Sequence, residues 1–425
     1  MTTPNQRAAN ARPDFKRRAP ALVAQLDIGC SLVEGRDDLS TLALWFANEA
    51  DTLVVAVGPE ELLATMDKVL AWAIAWQGKR RLIVICAEGH EAKTMERLPW
   101  IDRPIAIEVR TYGDAYLLSG PVKQLNKAKT IAMARDQNDR PVRPLANHDL
   151  GSDTEALNID RLVRWLDDEK RLARAGRKSY DAWTCVGKRA LVMRGKTTSA
   201  VKITAGVDYR KTLPEGEQRA LAVTVTRDEP LSEEDFEEIK RRVTHACERR
   251  LGGDSSYLEH RMQSNLLTGL DRGIGLAELG IKDARREYPA YRGRGNPGLI
   301  DFLGIDTHNR LHVVETKANP DDVAVVLQAI DYVVWVMANQ TGIRSTMGPG
   351  PAWEPAGSDE RIVIDFICAP KVPSGKAIGP YMGAQLRSLS PDLEWHVWLM
   401  TDALDERCEL TELPQDGMTE IDGWR

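Results

Sequence analysis

Between Gly298 and Lys317 the chain reads Gly298-Leu-Ile-Asp-Phe-Leu-Gly-Ile-Asp-Thr-His-Asn-Arg-Leu-His-Val-Val-Glu-Thr-Lys317, and no other stretch constrains the fold as tightly. Two apolar runs, Leu299 to Ile305 and Leu311 to Thr316, flank the polar cluster Asp306 to Arg310. This pattern predicts a tight hairpin of two mostly buried strands. Side chains alternate across a strand, so Glu315 and Lys317 point to one face and Val314 and Thr316 to the other. A hairpin pivoting near His308 sets Asp301 opposite Glu315. Two carboxylates and an ammonium then share one face of an apolar sheet. Burying them is costly unless they compensate one another or hold a cation. An ion pair between Lys317 and one acid is the plain structural account. The second acid suits a hard divalent cation with oxygen ligands. Such a cation lowers the pKa of a bound water and stabilises charge on a phosphate oxygen, and a lysine can orient that water.

Asp301 followed by Glu315-Thr-Lys317 on the next strand resembles the signature of the PD-(D/E)xK nuclease superfamily, with Gly298-Leu-Ile-Asp301 in the place of its first half. Upstream, Ser256 to Leu267 reads as a helix carrying Glu259, where many members place a further metal-binding acid. Downstream, Gln328-Ala-Ile-Asp-Tyr332 is similar to the Gln-x-x-x-Tyr element of the RecB-like branch, and the order of elements resembles NucS-like endonucleases. The resemblance covers about Asp254 to Lys371. It implies a restriction-endonuclease-like core, a mixed sheet flanked by helices. It also implies Mg²⁺ or Mn²⁺ held by Asp301, Glu315 and Glu259, with Lys317, Gln328 and Tyr332 completing the catalytic set. Within the chain itself, Gln328 and Tyr332 stand one helical turn apart, and a polar pair bonded inside a core accounts for them equally.

The 425 residues suffice for two or three domains. The expected fold class is α/β: the nuclease-like domain over 253–425, an N-terminal α/β domain over 21–150, a small basic α+β region over 151–252, and a mobile basic tail over 1–20. No apolar run is long enough for a membrane span. The six cysteines form no Cys-x-x-Cys pair, which argues against zinc or an iron–sulfur cluster and suits a reducing cytoplasm. Net charge is −6, so any grip on DNA, or on RNA, must come from a local basic face. From Arg161 to Lys211 there are 14 Lys and Arg against 5 Asp and Glu. Arg174, Arg177 and Lys178 there, and Arg292 and Arg294 before the hairpin, are the expected phosphate contacts; solvated surface accounts for them as well.

Helices are expected near 60–76, 157–175, 232–250, 319–339 and 379–388, with Asn319-Pro-Asp-Asp322 opening the fourth. Gly342 to Ser358 reads as a long loop. Val54 to Cys86 repeats the strand–helix–strand layout of Val313 to Phe366, with Ala56 and Gly58 in the places of Glu315 and Lys317. A degenerate second nuclease-like fold would explain this. The unit is common in α/β proteins, so chance is the expectation. The resulting functional expectation is a cytoplasmic, metal-dependent DNA endonuclease of defence, restriction or repair. A non-catalytic nucleic-acid-binding scaffold and an RNA-cutting enzyme are the alternatives. A homodimer, or a protein partner through the N-terminal half, stays open.

Overall fold

The computed structural model describes residues 4–33, 43–48, 51–61, 63–75, 81–101, 106–136, 158–177, 180–186, 188–195, 200–206, 221–252, 257–291, 297–318, 324–347, 361–370 and 377–414. The expected tail is instead a helix, α1 (Pro4–Ala24). Its Ala8, Phe15, Ala19, Leu22 and Val23 are buried at helical spacing, which leaves Lys16, Arg17 and Arg18 exposed, while Arg12 on the buried side donates to Glu61. Then come β1 (Ser31–Leu32), β2 (Ala43–Ala47), β3 (Thr52–Val57), α2 (Leu63–Ala75), β4 (Arg81–Ala87), α3 (Ala92–Arg97), β5 (Ala106–Tyr112), β6 (Leu118–Pro121) and α4 (Lys127–Asp136). The six strands form one sheet in sequence order. β3, β4 and β5 run parallel, and the flanking pairings are antiparallel. β3 is an unbroken apolar run, buried on both faces as a central parallel strand is.

The middle of the chain contributes α5 (Asp160–Asp168), β7 (Ala173–Arg177), β8 (Tyr180–Cys185), β9 (Lys188–Arg194), β10 (Ala200–Ala205), β11 (Leu221–Thr226), α6 (Glu233–Leu251) and α7 (Leu258–Leu270). The helix expected to reach Ala175 stops at Asp168, because residues 173–177 pair with β8 instead. The five strands are antiparallel in the order β11-β10-β9-β8-β7. Trp183, Leu191 and Ile203 from the sheet, with Phe236, Ile239 and Val243 from α6, belong to one core. Ser232 caps α6 by accepting a hydrogen bond from the Asp235 amide.

The last segment holds β12 (Ile281–Tyr291), β13 (Pro297–Asp306), β14 (Leu311–Lys317), α8 (Val325–Met347), β15 (Ile362–Cys368), α9 (Pro380–Arg387), β16 (Glu394–Met400) and β17 (Leu410–Leu413). Asn319 to Asp322 and residues 348–358 lie outside the described residues. The expected loop is helical up to Met347, since Ile343 and Met347 are buried and Arg344 donates to the Asn309 carbonyl. α8 is apolar on nearly all sides, as a buried helix is.

These six strands again form a sheet in sequence order, with β14, β15 and β16 parallel and antiparallel pairings outside them. Strand order and direction thus repeat those of the first sheet throughout. α2 and α8 each connect the first two parallel strands, and α3 and α9 the next two. The chance coincidence expected from one strand–helix–strand unit is replaced by a likeness over six strands.

Both sheets belong to one compact unit, residues 1–141, 279–400 and 410–425, and the second unit comprises 142–278 with 401–409. The expected separation of 21–150 from 253–425 is therefore corrected, and residues 253–278 go with the middle region. Helices join the two sheets: α2 packs on α9, and α3 and α4 on α8. Arg97, almost fully buried, donates to Asp331 Oδ1 (2.9 Å) and Oδ2 (2.7 Å) and to Asp67 Oδ1 (2.6 Å). Burial alone would lower its pKa, but Asp331 and then Asp67 more than reverse this and hold it charged. Among the described residues no helix is long and apolar enough to cross a membrane.

Candidate active site

The hairpin β13–β14 turns about His308, as the pairs Ile305–Leu311 and Phe302–Val314 require. Asp306 organises the turn by accepting from the amides of His308 (2.9 Å) and Arg310 (2.7 Å) and from Arg310 Nε (2.9 Å). At the far end the paired residues stop at Phe302–Val314, and Asp301 and Glu315 come next in register. There the Asp301 carboxylate takes the place of a strand. Its Oδ2 accepts from the Thr316 amide and from Thr316 Oγ1, both at 2.8 Å. Oδ1 makes no hydrogen bond to a described residue, and Asp301 is half-buried. Glu315 is 1% exposed in the middle of the sheet, level with Phe366 on β15. Lys317, half-buried, ends the strand.

Gln328 Nε2 donates to Tyr332 Oη at 2.9 Å, and Tyr332 is 1% exposed. They form the expected pair one turn apart, but on the opposite side of the sheet from the acids. α8 reaches the sheet through Trp335, which meets the Tyr288 ring at 6.2 Å. Tyr288 lies across from Ile300, and Phe302, on the same face, across from Val314. Alternation therefore puts α8 on the face of His312, Val314 and Thr316, away from Glu315 and Lys317. Gln328 and Tyr332 belong to α8, which packs on β14 from behind.

Glu259 lies on α7 in the second unit and is half-buried. Arg174 and Arg177 fall on β7, while Lys178, Arg292 and Arg294 lie outside the described residues. Among the described residues no group of three or more His, Cys, Asp and Glu side chains is arranged to hold a metal. Asp301 and Glu315 nevertheless supply carboxylate oxygens of the hard type that Mg²⁺ and Mn²⁺ take, and Asp301 Oδ1 is available.

Several groups escape sequence reasoning. Glu287, directly across β12 from Asp301 in register, has φ +50°, a left-handed value inside a strand. In the second unit, exposed Arg194 pairs with exposed Lys202, and Arg189 and Arg194 each lie 5.5 Å from the Tyr180 ring centre. The basic count over this region is the only signal for them. Behind the hairpin, His312 Nδ1 lies 2.6 Å from Asp365 Oδ2, and Trp398 Nε1 donates to Asp365 Oδ1 at 2.8 Å. No protein-family model matches the chain, and no curated protein matches its sequence.

Proposed function

We propose that this protein is a metal-dependent nuclease acting on DNA, with a restriction-endonuclease-like arrangement in its C-terminal sheet. The observation that carries the reading is the opening of the β13–β14 ladder at Asp301. One carboxylate oxygen replaces the strand hydrogen bond there and the other stays available, beside a central strand that buries Glu315. Asp301 and Glu315 would hold Mg²⁺ or Mn²⁺, which supplies a more acidic bound water and charge stabilisation on the phosphate. Lys317 orients the attacking water. Gln328 and Tyr332 hold β14 in place. Arg189, Arg194 and Lys202 offer charge for phosphates, and Tyr180 a ring on which a base can stack.

The test is cleavage of single-stranded, duplex and branched DNA and of RNA by the full chain, with Mg²⁺, with Mn²⁺ and with EDTA. DNA cleavage that needs the metal and disappears in Glu315→Gln supports the reading. Cleavage indifferent to EDTA, or equal in the variant, removes it.

A further inference from the structure

We propose that the N-terminal half of the first unit is a second copy of its C-terminal half, kept as a built-in partner, and that the chain consequently cuts one strand of duplex DNA per engagement. The chemistry rests on the nuclease reading above; the pairing of halves rests on geometry alone.

The halves meet as two copies of one protein meet across a two-fold axis. In such an interface, when element i of one copy touches element j of the other, j of the first also touches i of the second. By their places between strands, α2 corresponds to α8 and α3 to α9. α2 packs on α9, and α3 on α8. Trp72 on α2 meets Tyr381 on α9 edge-on at 6.4 Å, while Asp331 on α8 meets Arg97 on α3 at 2.7 Å. Trp72 follows Ala56 at the same chain distance as Asp331 follows Glu315. Ile101 and Leu389 form an antiparallel bridge, and with the parallel ladders aligned they fall one residue from equivalence. A two-fold axis reverses chain direction, so near-equivalent segments that pair antiparallel with one another lie at the axis. Each half thus occupies the helix face that a second chain would need.

Only one half keeps the polar groups. With the parallel ladders aligned at Thr52–Arg81 and Leu311–Ile362, Leu44, Ala56 and Gly58 stand where Asp301, Glu315 and Lys317 stand. The face is also closed, because α1 shares a core with Val54 and Ala56. A Cβ on Gly58 would come within 3.4 Å of the Phe15 ring. The strands of a duplex run antiparallel, and a two-fold protein meets both alike. Two centres would reach a phosphate on each strand; one centre reaches one. There a water oxygen bonds to phosphorus, one P–O bond breaks, and the departing alkoxide takes up a proton. The product is a nick.

The experiment follows supercoiled plasmid with the full chain and Mg²⁺ or Mn²⁺ over time, and repeats it with wild type mixed with Glu315→Gln. Open circles should accumulate as supercoiled DNA is lost, with linear DNA arising later from them. An equal mixture should nick at about half the wild-type rate, whereas two chains that must combine would form linear DNA directly, at about a quarter of the wild-type rate. Linear DNA forming as fast as supercoiled DNA disappears, or the quarter rate, overturns the inference and leaves the nuclease reading standing. No cleavage of any DNA with either metal removes both.

Discussion

The two six-stranded sheets of the first unit fold alike and carry opposite chemistry along equivalent strands. β3 is Thr52-Leu-Val-Val-Ala-Val57, and β14 is Leu311-His-Val-Val-Glu-Thr-Lys317. Where the second strand holds Glu315 and Lys317, the first holds Ala56 and Gly58; where the second holds His312, the first holds Leu53. On the next strand Val84 stands in the place of Asp365. The apolar version folds with the same order and directions, so the topology does not require the charges. The N-terminal sheet is an internal control for the C-terminal one. It marks Glu315 as a buried carboxylate that the topology does not need, one that costs stability where an alanine does not.

The largest expected effect lies at the junction. Arg97→Ala leaves Asp331 and Asp67 without their guanidinium and should cost about 3–5 kcal/mol, softened by Lys93, which stays 3.2 Å from Asp331. Chemical denaturation of the full chain checks the loss. Replacing the pair together, Arg97→Met with Asp331→Leu, should recover most of it. Two well-separated transitions for the two sheets in wild type would break the picture of one jointly folded unit.

Next comes the contrast at Glu315 itself. Glu315→Gln should lower metal-dependent cleavage at least ~100-fold, a loss typical of removing charge stabilisation from a transition state. Stability should hold or rise, as Ala56 suggests. A purely structural ion pair reverses both outcomes: breaking it would cost about 3–5 kcal/mol and leave activity per folded molecule unchanged. Melting and single-turnover cleavage of the same preparation decide.

How much of this was legible in the sequence differs sharply between the halves. The hairpin was readable because two apolar runs and a polar centre fix its register, and the pivot at His308 follows from counting. The buried α8 showed in its unbroken apolar surface. α1 hid behind arginines and prolines. β12 was hidden by its polar sequence, Lys282 to Glu287. The repeat was visible only as one strand–helix–strand unit, because the residues that survive divergence are apolar and interchangeable. The junction was invisible, since Arg97 and Asp331 are distant in sequence and nothing local marks either. The position of Gln328 and Tyr332 behind the sheet needed the observed packing of α8; helical spacing settles only that they share a side.

The two units should differ in their grip on DNA. If the second unit grips phosphates through Arg194 and Lys202, replacing each with Ala should weaken DNA binding and lower the salt slope by about one unit apiece. Equivalent exposed lysines on the first unit, such as Lys68 on α2, should change it less. Equal slopes in wild type and variants would make the Tyr180 surface merely solvated.

The sheets should also differ in their response to pH. Burial alone would lower the His312 pKa, but Asp365, and after it Asp306, raise it above the ordinary 6.5. Its contribution to stability is therefore full below about pH 6.5 and is lost as pH rises through the folded value. Burial would raise Asp306, but Arg310, and then His312, bring it below 3.8, so its contribution is present above that pH and lost as pH falls further. Asp365→Asn should flatten the alkaline decline in melting temperature. An unchanged decline would place its origin elsewhere.

The smallest effect tests the outer hairpin. At φ +50° the Glu287 backbone carries about 1 kcal/mol of left-handed strain that glycine would not. The residue lies across from Asp301, so two explanations compete: a backbone kink that opens the strand edge, or a carboxylate that works with Asp301. Two variants separate them. Glu287→Gly keeps the kink, removes the charge and should stabilise the protein by up to about 1 kcal/mol. Glu287→Gln keeps the strain and removes only the charge. If the backbone matters, Gln behaves as wild type and Gly is more stable with cleavage intact. If the carboxylate matters, both variants need more Mg²⁺ for half-maximal cleavage, whatever their stability.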